Sequence, residues 1–202
     1  MEKSVHYSTP AKVLDIVKYG QPVLRAKGRR IAEVDPGTRQ LAADMLETMR
    51  AAHGLGLAAQ QVGVAVQLTV IDVSPINREE RPSALFIDGE EVEIDAWMPL
   101  VLLNPEVESV GPDRETASEG CLSFPEIHAD IRRAARVRVH AHLLKENGDM
   151  EDIEFESTGL LARALQHEVD HLNGVLFIDR MSSATRVGLA GRLKRLQREN
   201  ER

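Results

Sequence analysis

Apolar residues recur with two periods along this chain. Leu41, Met45, Met49 and Ala52 return every three or four positions, the spacing of an amphipathic helix. Asp35-Pro36-Gly37 supplies its start, with Asp35 as N-cap and Pro36 at the first helical position. Gly54 marks its end. The period then falls toward two. Residues 64–73 are rich in β-branched side chains and read as a strand. Residues 100–110 read as another, interrupted by Asn104-Pro105. In 135–143, Val137, Val139, Ala141 and Leu143 share one side. Asn147-Gly148 is a two-residue hairpin signal, and 150–156 return with Ile153 and Phe155 on one face. Ser157-Thr158-Gly159 opens a second helix and Asn173-Gly174 closes it. Leu160, Leu161, Ala164 and Leu165 make that helix apolar over much of its circumference, which predicts burial. A last helix spans 183–202. It carries Val187, Leu189, Ala190, Leu193 and Leu196 on one side and Arg186, Arg192, Lys194, Arg195 and Arg198 on the other.

Residues 74–99 are acidic and broken by Pro75, Pro82 and Gly89. A small hairpin around Asp88-Gly89 fits within them, and the segment as a whole reads as an inserted surface excursion. Residues 1–12 are polar and expected to be loosely ordered. No repeat or linker divides the 202 residues, a length that suits one domain with a sizeable core. Strands, one central buried helix and a C-terminal helix predict an α+β domain, mostly antiparallel.

A formal net charge of -7 argues against a general nucleic-acid binder, so DNA is not an expected partner. No apolar stretch is long enough to span a membrane, and the N-terminus lacks the apolar core of a secretory signal. The one cysteine excludes an intramolecular disulfide. As a thiolate ligand it would need a reducing compartment, so the cytoplasm is expected.

The chemistry concentrates in the second helix, which contains the H-E-x-x-H of His167-Glu168-Val169-Asp170-His171. At i and i+4 the two imidazoles leave one helix face and can grip one metal ion, with Glu168 beside them as proton carrier. A catalytic site needs a third protein ligand and an open position. No histidine follows His171. A carboxylate such as Asp179 or Glu199 is one candidate, as in a zincin-type peptidase. The other is Cys121, between Gly120 and Ser123-Phe124-Pro125. A lone cysteine is more often a small buried apolar residue. A metal-binding protein without turnover is the third reading.

Taken in order, Gly54-Leu55-Gly56-Leu57-Ala58-Ala59-Gln60-Gln61, Glu119-Gly120-Cys121-Leu122-Ser123 and His167-Glu168-Val169-Asp170-His171 resemble the three motifs of the peptide deformylase family. The similarity extends to Tyr19-Gly20-Gln21-Pro22-Val23-Leu24 and so covers most of the chain. The resemblance implies a metal held by Cys121, His167 and His171, with Glu168 as general base and acid. Gln61 and the backbone N–H of Leu122 would stabilise the tetrahedral intermediate. Leu55, Leu160 and Ala164 would line a methionine pocket, with Gly56 and Gly120 beside the substrate. The implied substrate is an N-formylmethionyl nascent peptide. The implied metal is Fe2+ in the cell, whereas a purified sample is open to Zn2+, Ni2+ or Co2+, since zinc binds such sites more tightly. For the last helix the resemblance implies a ribosome contact through its basic face, and the plain alternative is a docked helix whose basic face is solvated. Gly54 and Gly56 are expected to act as helix cap and as point of close approach, one role each. Gln60 has no assigned role. Glu119 and Asp170 are candidates for holding ligands in place. Some members carry an arginine where this chain has Ile127-His128-Ala129-Asp130, which leaves contacts there open.

Overall fold

The computed structural model describes residues 10–201 apart from 78 and 146. The expectation for the N-terminus therefore lies outside the described residues at 1–9. Lys12 is tied down, its N–H donating to Asp44 Oδ1 at 3.0 Å. In chain order the elements are α1 (Pro36–Ala51), β1 (Gly56–Ala58), β2 (Leu68–Ile71), β3 (Ser83–Ile87), β4 (Glu90–Val92), β5 (Leu100–Ser109), β6 (Arg114–Cys121), β7 (Phe124–Ala134), β8 (Arg136–Leu144), β9 (Met150–Thr158), α2 (Gly159–Leu172) and α3 (Ser183–Asn200). Seven strands form one antiparallel sheet in the order β1-β2-β5-β8-β9-β3-β4, and β6 pairs with β7 separately.

Three apolar clusters join these layers. The first sets Leu161, Ala162 and Leu165 of α2 against Leu100, Leu102, Val137, Val139 and Phe155 of the large sheet. The second sets Met45, Leu46 and Met49 of α1 against Leu57, Leu68, Val70 and Leu103. The third gathers Phe124, Ile127 and Ile131 of β7 with Phe177, Ile178 and Leu193. A fully buried Leu or Phe stabilises by about 1.5–3 kcal/mol relative to exposure, so each cluster anchors its helix. α2 is central to the molecule, as its sequence predicts.

Several local expectations change. Asp35 does cap α1, accepting from the Thr38 N–H at 2.6 Å. The left-handed residue beyond α1 is His53 (φ 54°), not Gly54. The strand expected over 64–73 is short, because Gly63 turns in the left-handed region (φ 84°) and Asp72 bends the chain by accepting from Ser74. The 74–99 segment is no surface excursion throughout. β3 pairs with β9 inside the large sheet, and Leu85 and Ile94 are buried in the first cluster. Its hairpin does turn at Asp88-Gly89, both with positive φ. Asn104-Pro105 makes a bulge between β5 and β8, and the Asn104 side chain both accepts from and donates to the Ile31 backbone at 2.8 Å. The β8–β9 connection closes with Lys145 N–H on Asp149 O rather than as a two-residue loop. α3 docks through a narrower stripe than predicted. Leu193 is buried and Leu189 and Leu196 are half-buried, but Val187 (76% exposed) and Ala190 face away.

Candidate metal centre

β9 leads directly into α2, whose packed face fixes His167 and His171 one turn apart. Their rings lie 5.0 Å apart at 63°. Cys121 reaches them from the end of β6, where the β6–β7 register slips between Gly120 and Cys121 and the chain reverses to Phe124. Its Sγ lies 3.2 Å from His171 Nε2, and the ligand atoms of all three residues fall within 4.8 Å of one another. No other group with this potential occurs among the described residues. Asp179 and Glu199, the downstream candidates, are engaged elsewhere: Asp179 with Arg25 and the Leu176 N–H, Glu199 with Arg195 on α3.

The donor set suits a divalent ion, one soft sulfur and two imidazole nitrogens converging on one point. A second observation agrees. Glu168 is buried, and its Oε2 has no protein partner. Buried polar atoms are normally satisfied, so this oxygen fits a place where water and an ion belong. The carboxylate fits there because Gly56 has no side chain: a Cβ on Gly56 would stand 2.5 Å from Glu168 Oε1. Gly54 yields similarly to Leu122, whose Cδ1 would be 2.7 Å from a Cβ there. Both motif glycines are thus points of close approach between the glycine loop and the site, and Gly54 also closes the end of α1, its N–H donating to Met49 O at 2.9 Å just beyond the left-handed His53. Gly120 abuts the His128 ring. Leu160 and Ala164 lie on the α2 face that leads to His167 and are half-buried, while Leu55 is half-buried outside the three apolar clusters. Ile127 and Ala129 face the core, and His128 and Asp130 face outward.

Gln61 is buried, not a surface residue of the turn. Its Oε1 accepts from the Ala58 N–H at 2.9 Å, which orients the amide. Nε2 then lies 3.5 Å from Cys121 Sγ and 3.3 Å from Ser123 Oγ. Gln60 is also fully buried, and its Nε2 donates to Leu172 O at the end of α2 (3.2 Å). Gln67 Nε2 and the Gly28 N–H donate to the same carbonyl. These donors satisfy a carbonyl that the helix end leaves without an intrahelical partner.

Glu119 holds His167. It accepts from His167 Nδ1 at 3.1 Å, leaving Nε2 for a metal, and from Arg133 (Nε and Nη2, both 2.9 Å) and Arg163 (2.8 Å). Asp170 touches neither ligand. It accepts from Arg133 Nη1 (2.5 Å) and from Arg180 (2.6 and 3.1 Å). Arg133 therefore joins both carboxylates and is itself buried. Sequence reading passed over Arg133 and Arg163, although a signal existed. Arg133 has the same strand parity as Ile127, Ala129 and Ile131, so it points into the core. Arg163 interrupts the apolar run of α2.

Burial and charge set the ionisation. Burial pushes the Glu119 carboxyl up, but Arg133 and His167 override it and hold it well below the ordinary 4.5. Burial pushes Glu168 up to about 7, with His167 and Arg133 opposing. Burial would lower His167, yet the Cys121 and Glu119 hydrogen bonds raise it well above the usual imidazole value. Burial and the neighbouring positive charges keep His171 neutral, the form that ligates.

The polypeptide deformylase family model matches residues 13–187. The chain is 46% identical to a peptide deformylase of Opitutus terrae over 187 residues, covering 91% of this chain and 92% of that one. It is 42% identical to one of Methylacidiphilum infernorum, covering 92% and 94%. Among solved structures it resembles the Ehrlichia chaffeensis peptide deformylase in complex with actinonin (TM-score 0.74, 34% identity, 93% and 99% covered). The Synechococcus elongatus enzyme with actinonin is also similar (TM-score 0.71, 36% identity, 96% and 92% covered).

Glu119→Gln should weaken metal binding by about 10–100-fold, the usual effect of removing a group that holds a ligand. It should also change acid stability. A carboxyl depressed on folding contributes stability that is complete above its unfolded value and is lost as pH falls toward its folded one. Wild type should therefore lose melting temperature more steeply than Glu119→Gln below pH 4.5, the ordinary value. Parallel curves in thermal unfolding across pH would contradict the assignment.

Proposed function

Because this chain belongs to the polypeptide deformylase family, whose members are metal-dependent hydrolases of formylated nascent peptides, we propose that it removes the formyl group with Cys121, His167 and His171 as metal ligands and Glu168 as proton carrier. The supporting observation is the convergence of these three donors beside a buried carboxylate with a partnerless oxygen. When bound, a divalent ion supplies Lewis acidity that makes a water at the open position more acidic. Glu168 accepts the proton of the attacking water and returns it to the departing amine. Its raised pKa suits both tasks near neutral pH. Gln61, oriented through Ala58, and the backbone N–H of Leu122 donate to the oxygen that becomes negative as the carbonyl carbon turns tetrahedral. Leu160 and Ala164, on the face of α2 leading to His167, and Leu55, with Gly56 and Gly120 beside them, form the apolar lining for the methionine side chain.

The resident metal in the cell is Fe2+, and zinc, nickel or cobalt replaces it in purified samples. No helix among the described residues is long and apolar enough to cross a membrane. A thiolate ligand needs a reducing compartment, and the cytoplasm supplies it. The exposed basic side of α3, with Lys194, Arg195 and Arg198, docks on an anionic ribosomal surface near emerging chains.

A formyl-Met peptide assay with formate detection tests the chemistry. Glu168→Gln should lose about 10²–10⁴-fold in turnover while retaining stoichiometric metal. Wild-type kcat/KM should rise through an acid limb centred at or below about 7, since a bound cation opposes the effect of burial on Glu168. Undiminished turnover in Glu168→Gln would reject its role. For docking, Lys194→Glu with Arg198→Glu should abolish low-salt co-sedimentation with ribosomes without slowing the peptide assay. Unchanged co-sedimentation would leave α3 as a packing helix.

A further inference from the structure

Residues 17–19 bridge the two loops that carry the proposed donors Gln61 and Leu122. The Val17 N–H donates to Gln61 O at 2.8 Å, and the Tyr19 N–H to Ser123 O at 3.0 Å. Between them, Lys18 Nζ donates to Leu122 O at 2.7 Å. The Tyr19 ring stacks on Phe124, centroids 4.7 Å apart. The strap is itself anchored at both ends. Upstream, Lys12 N–H reaches Asp44 and Leu14 N–H reaches Thr48 Oγ1 on α1 (2.8 Å). Downstream, Gln21 donates to Asn200 O at the end of α3.

Of the three hydrogen bonds to the two loops, only that of Lys18 is made by a side chain. Lys18 is half-buried; burial lowers its pKa, and the neighbouring Cys121 opposes that shift. A charge-assisted bond to a carbonyl is roughly twice as strong as a neutral one. The carbonyl it holds belongs to Leu122. Ser123 O is fixed by Tyr19, and Cys121 is fixed by the end of β6 and its place beside His171. With the peptide unit after Leu122 pinned at its oxygen, the Leu122 backbone has little freedom to rotate. Its N–H then keeps one direction. An oxyanion donor stabilises the transition state only while preorganised, because reorienting it during reaction would itself cost free energy.

Resting on the assignment of Leu122 N–H as an oxyanion donor, we propose that Lys18 is a positioning residue for deformylation, holding that N–H on the developing oxyanion by gripping the Leu122 carbonyl. In this role Lys18 acts through the Leu122 backbone and not on the reacting atoms. Its contribution appears in turnover rather than in ground-state affinity or metal content.

Four variants measured on the intact, metal-loaded enzyme with a formyl-Met peptide test this: two at Lys18, Gln61→Ala, and the double variant. Lys18→Met keeps the length of the side chain and removes the charge. It should lower kcat by about 10–100-fold, with KM within about threefold and with metal content and melting temperature close to wild type. Lys18→Arg should recover most of the turnover, since a guanidinium can reach the same carbonyl. The effect of Lys18→Met should persist in a Gln61→Ala background, because the two residues serve different donors. Wild-type-like kcat in Lys18→Met overturns the proposal. So does a loss that matches lost metal or lost folded protein, or one that Lys18→Arg does not relieve. Failure of the underlying reading looks different. No formate from wild type would remove the deformylase function, and full turnover in Gln61→Ala would remove the oxyanion assignment, whatever Lys18 does.

Discussion

A carboxylate buried between two guanidinium groups and an imidazole sets the geometry around it. Glu119 accepts two hydrogen bonds from Arg133, one from Arg163 and one from His167. Its partners come from β7 and α2, so β6, β7 and the helix cannot shift independently. Charges this deep are costly unless paired and hydrogen-bonded, and removing one partner of such a pair costs about 3–5 kcal/mol. Arg133 extends the network to Asp170, and Asp170 to Arg180 beyond α2. His167 is thereby held by a chain of four ionised side chains, only the last of which is well exposed.

Around that network the fold brings three distant segments together with little space left over. Gly54 and Gly56 let the loop after α1 lie against Leu122 and Glu168, where any side chain would collide. The slip in register at the end of β6 turns Cys121 toward the histidines. α2 is packed on the large sheet along one face and presents His167, Glu168 and His171 from the rest. Rigidity of this kind is what hydrolysis of an acyl–nitrogen bond requires, because donors and proton carrier must be aimed before charge develops.

The sequence made some of this readable and hid the rest for physical reasons. The helix of the H-E-x-x-H motif, its start after Thr158 and its end before Asn173 follow from local periodicity and turn residues. The α+β layout with antiparallel strands follows from the same signals. Periodicity could not reveal that β3 enters the large sheet, since pairing partners are set by long-range contacts. The apolar stripe of α3 was read too wide because exposed and docked valines look alike in a sequence. Gln60 and Gln61 are adjacent amides in one turn. Only their surroundings separate them, one ending at the Leu172 carbonyl and the other at Cys121. Parity on β7 points Arg133 inward, but parity alone names no partner for its charge. Only the carboxylates brought beside it by β6 and α2 explain its burial.

The proposed chemistry turns on one sulfur and two imidazoles sharing an ion. X-ray absorption at the edge of the bound metal, on the purified protein and on Cys121→Ser, measures this directly. The first coordination shell of wild type should contain one sulfur, at about 2.3 Å if the ion is zinc, together with two imidazole nitrogens. The sulfur contribution should vanish in Cys121→Ser along with most of the bound metal. A shell of nitrogen and oxygen alone in wild type, or full metal occupancy after Cys121→Ser, would contradict the account.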